Sequence, residues 1–504
     1  MFKPQKLHPI SYVSGLFTNL KQNILPLVIA IGLIATRGLD NIGDLIIPSC
    51  IILFSLIGSV FRGIKIFYTR YWIENNQLIV TWGVFSKNRK ELNIERIQSV
   101  DTSQNFVHQL LGGVSLSVIT PSDGIELDTI TKKQSEQISK YLKEKKKELK
   151  QNDEELNSAA IIVQEEEMKE TSNSEKKEKE IYFQLSTQSL LQMSFTSGGI
   201  FIVFAALGSL MGLISQVINI EEIISPIFEQ VVNFATVMII LGSIFILLSY
   251  IIGSLIVFIR YYKYNLTFDG ELLTIKYGLF TVKKRSVPIK RIQALKEEES
   301  LLRRIFGFTS ISAIITSDGS FEKNEEDNIG DVVILPFIKK KQAYALLAEI
   351  IPQFEFSEVD KVLPKQGIRR RVFIPTIFIL AVTIPIQIYL WPYAWIVGLA
   401  LFIILLIYAL VQTLKSGYKL LDDSIVILNA SPFKYVTTWV QRDKILTYSL
   451  NENPIIKRQD IAHFGIHIAY GKGMMVKGLK FIHKQDALKM YNWYSNDGGD
   501  DHAS

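Results

Sequence analysis

The chain contains a single cysteine, Cys50, in 504 residues. One thiol cannot form an intramolecular disulfide, and no second cysteine is present to complete a redox pair. Cys50 also lies within a long apolar run, where we expect a membrane span. A fold held together by disulfides and a dithiol chemistry are therefore both excluded.

The sequence also lacks motifs that carry common enzyme chemistry, including a Gly-rich phosphate loop, a nucleophile elbow and an HExxH pair. His463 and His467 are four residues apart, but the residues between them are typical of a strand, along which the two side chains would stand ~13 Å apart. Ser122-Asp123-Gly124 and Ser317-Asp318-Gly319 predict turns. We expect no catalytic, cofactor-binding or metal-binding residue and no enzymatic activity.

Two further functions lack support in the sequence. Aromatic residues are concentrated in apolar runs and strands rather than between basic residues, so nucleic-acid binding is not expected. Charged residues that would mark an ion pathway are absent from the second and third pairs of apolar runs described below, which argues against an ion-coupled transporter. The formal net charge of +6 is typical of a membrane protein with basic cytoplasmic segments; attraction to anionic lipid is the alternative explanation.

Long apolar runs are abundant, and they occur in pairs. A membrane-spanning helix needs ~20 mainly apolar residues. The first pair covers about 24–35 and 45–61, and its first run spans only if it begins nearer residue 17. The second pair covers 198–220 and 231–259, and the third lies within 372–414. We predict three helical hairpins, or about six transmembrane helices.

Lysine and arginine flank the outer ends of these hairpins, whereas the short connecting loops carry acids or no charge. The positive-inside bias therefore predicts that both termini and all large polar segments face the cytoplasm. For the Arg triplet before the third hairpin, headgroup binding is the alternative to anchoring. The residues expected to anchor the helices at the membrane interface are Arg62, Lys65, Arg260, Lys263, Arg369, Arg370, Arg371, Trp391 and Trp395.

The most informative pattern is an internal repeat with a constant offset of 195 residues. Gly83-Val84-Phe85 returns as Gly278-Leu279-Phe280 (278 − 83 = 195), and residues 94–98 return as 289–293. A third, weaker copy follows at an offset of 153, with Ser431-Pro432-Phe433 in place of the second Gly-Leu-Phe (431 − 278 = 153). Three copies of one unit, each a hairpin followed by a polar module, are therefore predicted.

Each polar module is predicted to be a small sheet closed by a helix. Alternation of polar and apolar residues and turn residues between the runs indicate strands, and residues 131–150 have helical spacing. The second copy carries an acidic insertion around 321–331, which we place in a surface loop. In the first module the predicted strands are 71–74, 78–82, 87–93, 97–102, 114–119 and 125–130.

These patterns divide the chain into seven segments. Residues 151–180 are dominated by Glu, Lys, Asn and Ser and bury too little apolar surface to order, so a flexible or loosely helical linker is expected. The segments are 1–70 (amphipathic segment and hairpin 1), 71–150 (module 1), 151–180 (charged linker), 181–262 (amphipathic segment and hairpin 2), 263–352 (module 2), 353–417 (connector and hairpin 3) and 418–504 (degenerate module 3).

The sequence combines paired apolar helices, the Gly-hydrophobic-Phe turn, Ile94-Glu95-Arg96-Ile97-Gln98 with its repeat, the Leu-Gly or Phe-Gly pair and the Ser-x-Ser strand. In this combination it resembles the bacterial membrane-anchored pleckstrin-homology-like (PH-like) family. The resemblance covers nearly the whole chain outside the charged linker. It implies an α+β membrane protein with cytoplasmic PH-like β-modules, each capped by a C-terminal helix. It also implies a partner, a smaller membrane protein carrying one such module, and a role in envelope maintenance.

Basic and amide residues at repeated positions are the candidate contacts for a ligand or lipid headgroup, because arginine can grip a phosphate or carboxylate through two hydrogen bonds. A solvated strand face is the alternative for all of them. The first-hairpin turns at 74–76 and 269–271 are not basic, so specific inositol-phosphate recognition is not expected. The candidates are Arg96, Gln98, Arg291, Gln293, Arg89, Lys90, Lys283, Lys284 and Arg285.

Two functions are compatible with this organisation. The first is a non-enzymatic membrane scaffold whose tandem modules bind partner proteins or anionic lipid headgroups, with repetition raising the effective concentration of weak sites. The second is a lipid-translocating or lipid-transport component, in which glycines such as Gly208 and Gly212 let six helices pack closely around a path for lipid.

Overall fold

The computed structural model describes residues 4–24, 42–83, 86–120, 124–161, 180–197, 234–316, 330–471 and 473–495, with isolated positions between 26 and 34 and between 203 and 208. The chain folds into two compact units, Met1–Val287 and Pro288–Ser504. The first helix of predicted hairpins 1 and 2, linker residues 162–179 and the insertion at 321–329 lie wholly or largely outside the described residues.

Helices in the described residues fall into three groups: long apolar helices, helices that follow a sheet, and short helices between strands. They are α1 (Ile10–Gln22), α2 (Ile42–Tyr68), α3 (Phe106–Leu111), α4 (Lys132–Ile161), α5 (Thr187–Thr196), α6 (Phe234–Arg260), α7 (Leu301–Ile305), α8 (Lys340–Ile350), α9 (Gln366–Tyr389), α10 (Ala394–Lys415), α11 (Pro454–Lys457) and α12 (Lys484–Ser495).

The strands of the first unit form two antiparallel sheets, one of four strands in the order β1-β2-β3-β4 and one of seven in the order β7-β6-β5-β11-β10-β9-β8. Those predicted for the first module are found within two residues of their expected ends. The strands are β1 (Gln5–Lys6), β2 (Arg70–Glu74), β3 (Gln77–Trp82), β4 (Asn88–Asn93), β5 (Ser99–Gln104), β6 (Gly113–Ile119), β7 (Gly124–Thr131), β8 (Glu180–Gln184), β9 (Asn265–Phe268), β10 (Leu272–Tyr277) and β11 (Val282–Pro288).

The second unit has the same plan, with a seven-stranded sheet in the order β14-β13-β12-β18-β17-β16-β15 and a three-stranded sheet β19-β20-β21. Its strands are β12 (Ile292–Ser300), β13 (Phe308–Ile315), β14 (Asp331–Lys339), β15 (Lys361–Val362), β16 (Gly417–Leu420), β17 (Ser424–Ala430), β18 (Lys434–Gln441), β19 (Ile445–Asn451), β20 (Ile461–Tyr470) and β21 (Gly473–His483).

Four helices are long and apolar enough to cross a membrane: Ile46–Tyr68 within α2, Gly242–Arg260 within α6, all of α9 and all of α10. Large apolar side chains on them, such as Phe54 and Phe378, are more than 70% exposed, which lipid rather than water would accommodate. The other two of the six predicted helices fall on residues outside those described. The structure thus gives a mixed α/β membrane protein with four candidate spans.

Helix α1 is amphipathic in the opposite sense to a helix of a soluble protein. Its buried side carries Ser14 and Asn19, and Asn19 Nδ2 donates to the Ser55 carbonyl of α2 at 3.3 Å. Its outward side carries Leu16 and Leu20, which are 61% and 52% exposed. Polar contacts between helices and apolar residues facing outward are the arrangement of a helix surrounded by lipid.

All three repeats contain a residue in the left-handed conformation whose carbonyl is hydrogen-bonded to the start of the terminal helix. In each repeat a residue one to three positions after the short helix has positive φ, and its carbonyl accepts a hydrogen bond from the first residue of the terminal helix. Glycine adopts this conformation without steric cost, but the third repeat uses aspartate. The pairs are Lys132 N to Gly112 O (3.4 Å, φ 74°), Lys340 N to Gly307 O (3.2 Å, φ 70°) and Lys484 N to Asp460 O (2.8 Å, φ 51°).

The glycine of the repeated Gly-hydrophobic-Phe motif follows the second strand in repeats one and two. Gly83 has φ of 108° and Gly278 has φ of 113°. A Cβ atom at Gly278 would lie 2.0 Å from the Thr281 carbonyl oxygen, so only glycine fits. In the third repeat Ser431 replaces the glycine; its N and its hydroxyl both donate to the Lys434 carbonyl, at 2.9 and 2.8 Å, so the side chain adds to the backbone bond that closes the turn.

Apolar residues from both sheets and the following helix form the core of the first repeat. Leu78 of β3, Leu116 of β6 and Leu142 of α4 are each at most 1% exposed within one cluster. A second cluster in the other unit joins Ile427 of β17, Ile466 of β20 and Met490 of α12. Burying each such side chain contributes about 1.5–3 kcal/mol. Helices α4 and α12, which were predicted to close the sheets of repeats one and three, thus pack into these two clusters.

The glycine of the Gly-hydrophobic-Phe motif and the glycine after the short helix should differ in how much stability the protein loses when each is replaced. Gly278→Ala combines a positive φ with the 2.0 Å approach of its Cβ to Thr281 O, and we expect it to lower the free energy of unfolding by at least about 3 kcal/mol. Gly307→Ala meets no atom within 4 Å and should cost only about 1–2 kcal/mol. Chemical denaturation of the purified protein in detergent measures both, and equal costs would contradict this account.

Candidate functional site

The repeats are joined edge to edge through their strands. Counting from the strand after each membrane helix, the third strand of a repeat pairs with the fourth strand of the repeat before it, as β11 does with β5 and β18 with β12. We call each of these pairings a joint. Both are antiparallel, one lies within each unit, and each fuses two repeats into one seven-stranded sheet.

The two joints have the same register. Thr102 lies opposite Lys284 in the first joint, and Glu297 lies opposite Thr437 in the second. These pairs are related by the repeat offsets, since 297 − 102 = 195 and 437 − 284 = 153. A one-residue slip would reverse which side chains face each side of a sheet, so the shared register is a specific feature of the repeat.

The short helix of each repeat contacts the turn of the next at equivalent positions. In the first joint the rings of Phe106 and Phe280 meet edge to face at 6.1 Å, and Gln109 Nε2 donates to the Phe280 carbonyl at 2.9 Å. In the second, Leu301 N donates to the Phe433 carbonyl at 2.8 Å. The Phe of the Gly-hydrophobic-Phe motif is thus a joint residue in repeats two and three.

One face of β12 carries a partly buried charge network. Lys296 Nζ bonds to Asp331 and lies 3.4 Å from Glu298, whose other carboxylate oxygen is 2.7 Å from Lys434 Nζ across the joint. Burial opposes the charge of Lys296, but Glu298 and Asp331 outweigh it and raise the pKa of the ammonium group. Lys477 adjoins this network; burial and the Lys296 charge lower the pKa of its ammonium group.

The opposite face of β12 carries a second network, completed by helix α8. Lys340 Nζ lies 2.9 Å from Glu299 and 3.6 Å from Glu297, and the Tyr344 hydroxyl donates to Glu297 at 2.8 Å. Burial raises the pKa of the Glu297 carboxyl, although Lys340 acts to lower it. Burial opposes the charge of Lys340, but Glu297 and Glu299 outweigh it and raise the pKa of Lys340.

The repeated arginines do not lie on a strand face, which corrects the alternative offered for them above. Arg96 is exposed in a turn in which its N donates to the Asn93 carbonyl at 3.2 Å. Arg291 ends a 3₁₀ turn that follows Pro288, and its guanidinium donates to the Thr316 carbonyl. Proline fixes φ and favours such a turn over a continued strand.

The associated glutamines and basic residues are placed as follows. Gln98 is half-buried beside the first turn, and Gln293 Nε2 donates to the Arg291 carbonyl at 3.1 Å. Arg89 and Lys90 lie on β4, whereas Lys283, Lys284 and Arg285 lie on β11, where Lys283 and Lys284 face Ser103 and Thr102 across the first joint. The structure therefore does not gather the candidates into one pocket.

An open groove of about 620 Å³ lies beside the 3₁₀ turn of the third repeat (Arg442–Lys444). The Arg442 guanidinium sits 5.5 Å from the Trp493 ring, and Lys444 Nζ pairs with Asp443 at 2.6 Å. Lys290 and Asp423 also line it. Acidic and basic groups of similar number make this groove suited to a polar or zwitterionic contact rather than to a multiply charged anion.

The predicted membrane anchors lie at helix ends, with one exception in role. Arg62, Lys65 and Arg260 lie near the C-terminal ends of α2 and α6, and Lys263 follows α6. Arg369 and Arg370 lie near the start of α9. Trp391 and Trp395 are about half exposed at the turn between α9 and α10. Arg371 instead donates to Thr413 Oγ1 of α10 at 2.8 Å and to the Lys480 carbonyl of β21 at 2.9 Å. It ties the hairpin to the sheet of its own repeat.

The histidines lie on a strand, as predicted. His463 Nδ1 accepts a hydrogen bond from Phe481 N at 2.9 Å across the β20–β21 pair, which occupies the ring nitrogen that faces the neighbouring strand. Among the described residues no group of three or more His, Cys, Asp or Glu side chains could hold a metal ion.

Sequence reasoning missed the joints, the short helices α3, α7 and α11, and the strands β1, β8 and β15. Each of the last three pairs with the first strand of its repeat. Signals for the first short helix were present: Asn105 caps α3 by accepting from His108 N at 2.8 Å, and the left-handed Gly112 ends it.

The charge network on β12 predicts opposite effects for two lysines. Lys296→Met would leave Asp331 without the lysine that it pairs with and would remove one of the two lysines that pair with Glu298. We expect a loss of about 3 kcal/mol in the free energy of unfolding. Lys477→Met removes a charge that burial disfavours and should leave stability unchanged or raise it by up to about 1 kcal/mol. Unfolding in detergent distinguishes them; a larger loss for Lys477→Met would contradict the assignment.

Comparison with known proteins bears on the repeat. Three segments, residues 24–146, 205–353 and 373–498, match the family described as Bacterial PH domain. Over 99% of its length the chain is 21% identical to transmembrane protein YdbT of Bacillus subtilis (strain 168), all of which is covered. No solved structure matches the chain. Each family segment ends in or just beyond a terminal helix, and the third begins within α9, so the family unit includes membrane helix as well as sheet.

Proposed function

Because the chain belongs to the bacterial PH domain family, we propose that it is a non-enzymatic membrane scaffold that presents tandem PH-like modules to binding partners at the membrane surface. Its membrane helices run almost directly into the sheets: α2 ends at Tyr68 and β2 begins at Arg70, and α10 ends at Lys415 and β16 begins at Gly417. A connection this short keeps the first strand of a repeat beside the membrane.

The fusion of repeats by joints is the observation that carries this proposal. Each joint pairs one strand from each of two neighbouring repeats within a seven-stranded sheet, which suits a surface that must position several weak binding sites at once. We propose partner proteins, including a smaller membrane protein with one PH-like module, as the main occupants. Anionic lipid headgroups are the alternative. Lys283 and Lys284 give that alternative little support, because both lie at a joint.

The proposed topology has six membrane helices in three hairpins, with both termini and all modules in the cytoplasm. The basic residues at the ends of α2, α6 and α10, such as Lys65, Arg260 and Lys415, support it through the positive-inside bias. The lipid-transport alternative has no comparable support in the described helices.

Cysteine labelling tests this topology directly, because Cys50 is the only native thiol. In a Cys50→Ala background, Tyr393→Cys should react with a membrane-impermeant maleimide in intact cells. Glu271→Cys and Asp443→Cys, both at exposed positions, should react only after permeabilisation. Labelling of either module position in intact cells would contradict the cytoplasmic placement.

Crosslinking in the native membrane tests the scaffold. With a photoreactive residue at Lys276, Lys290 or Lys444 of the full chain, we expect covalent adducts to at least one other membrane protein, identified by mass spectrometry of both proteins and lipids. A residue at Tyr389, 84% exposed at the end of α9, is the matched control and should yield lipid adducts. If every module position gives lipid alone or nothing, the protein-scaffold function is wrong.

A further inference from the structure

The joints account for the third strand of repeats two and three, β11 and β18, each of which pairs with the fourth strand of the preceding repeat. The third strand of the first repeat, β4, takes part in no joint among the described residues. Among the described residues, β4 pairs with β3 along one edge and with no strand along the other. An exposed edge presents backbone N–H and C=O groups that can pair with another chain.

The exposed edge has the character of the strands that form joints. Asn88, Arg89 and Lys90 of β4 occupy the repeat positions of Lys283, Lys284 and Arg285 of β11. Asn88 and Arg89 are exposed, and Leu92 is buried on the core side, as is its counterpart Val287. The strand is therefore formed and oriented like β11 before any partner binds.

The strands that complete the joints are acidic or polar. β5 contributes Asp101, whose Oδ1 accepts from Ser286 N at 2.9 Å. β12 contributes Glu298, which pairs with Lys434 at 2.7 Å. Opposite charges on facing strands add roughly 0.2–1 kcal/mol per pair. A basic third strand such as β4 thus fits an acidic fourth strand.

We propose that β4 is the docking edge for a PH-like module of a second polypeptide, which adds its acidic fourth strand in the register of the two internal joints. The partner residue equivalent to Thr102 and Glu297 would lie opposite Arg89, because 284 − 195 = 89 and Lys284 faces Thr102. Strand addition of this kind uses main-chain hydrogen bonds for affinity and side chains for specificity. The inference rests on the proposed scaffold function and names the place and geometry of one partner.

A second copy of this chain fits the edge less well. Its available fourth strand is β19, which also pairs along one edge only among the described residues but runs Ile445-Leu446-Thr447-Tyr448-Ser449-Leu450-Asn451 with no charge. Repeated head-to-tail pairing of identical chains also does not close unless it forms a ring. A single-module partner would terminate the array.

A lipid headgroup also fits less well. Arg89 Nε pairs with Glu91 at 2.5 Å, and its guanidinium lies 5.9 Å from the Trp72 ring. This local pairing reduces the net charge that a phosphate would meet. The backbone groups along β4, by contrast, need donors and acceptors at strand spacing, which only another strand supplies.

Site-specific photocrosslinking in native membranes tests the proposal on the full chain. A photoreactive residue at Asn88 should capture a second protein, through a peptide from an acidic strand of a PH-like module. The matched control is Lys283, its repeat equivalent, which faces Ser103 and should crosslink only within the chain. Arg89→Glu with Lys90→Glu should reduce the Asn88 adduct about tenfold, because like charges then face each other.

The control for charge is Lys133→Glu with Lys140→Glu, which makes the same change at exposed positions of α4 and should alter the adduct by less than about twofold. The proposal is overturned by an Asn88 adduct to lipid alone, to β19 of another copy or to a protein without a PH-like module. No adduct, or an adduct that charge reversal does not reduce, also overturns it. The scaffold function survives these results if Lys276, Lys290 or Lys444 still captures a protein.

Discussion

Backbone groups at the edge of a strand can pair with another strand, and neighbouring repeats of this protein share their edges in this way. The fourth strand of one repeat and the third of the next complete each other at β5–β11 and β12–β18, in one register. The positions of the Gly-hydrophobic-Phe turn and of the short helix follow from this, since Phe280 and Phe433 both contact the short helix of the preceding repeat.

The membrane helices impose the second constraint. A chain that leaves the bilayer at Tyr68 or Lys415 must begin its sheet within a residue or two, so the first strand has little freedom of position. The strands β1, β8 and β15 precede the membrane segments and pair with the first strand of each repeat. This pairing further fixes the position of that first strand. Sheet and membrane helix therefore behave as one structural unit, which agrees with a family match that covers both.

Local patterns made the strands, the closing helices and the three repeats predictable from sequence. Alternation and turn residues depend on neighbours a few positions apart, so the strands of the first module were placed within two residues. The joints depend on pairing between residues such as Thr102 and Lys284, far apart in sequence, and no local pattern reports it. For that reason the basic residues of β11 were predicted as contacts for a ligand or lipid headgroup, with no indication that Lys283 and Lys284 lie at a joint. Asp460 shows the same limit, because aspartate in a sequence does not indicate a left-handed conformation as glycine does.

Charge neutralisation within each repeat explains how an acidic strand can occupy the middle of a seven-stranded sheet. Glu297 and Glu299 are balanced by Lys340, and Lys296 by Asp331, all within one repeat. Glu298, by contrast, pairs across the second joint with Lys434. Buried ion pairs add little net stability but penalise wrong partners. Backbone pairing is therefore expected to supply most of the attraction at a joint, and the ion pair between Glu298 and Lys434 helps to select the strand. Arg89 is likewise balanced by Glu91 on its own strand, which agrees with the proposal that β4 binds a matching strand rather than any anion.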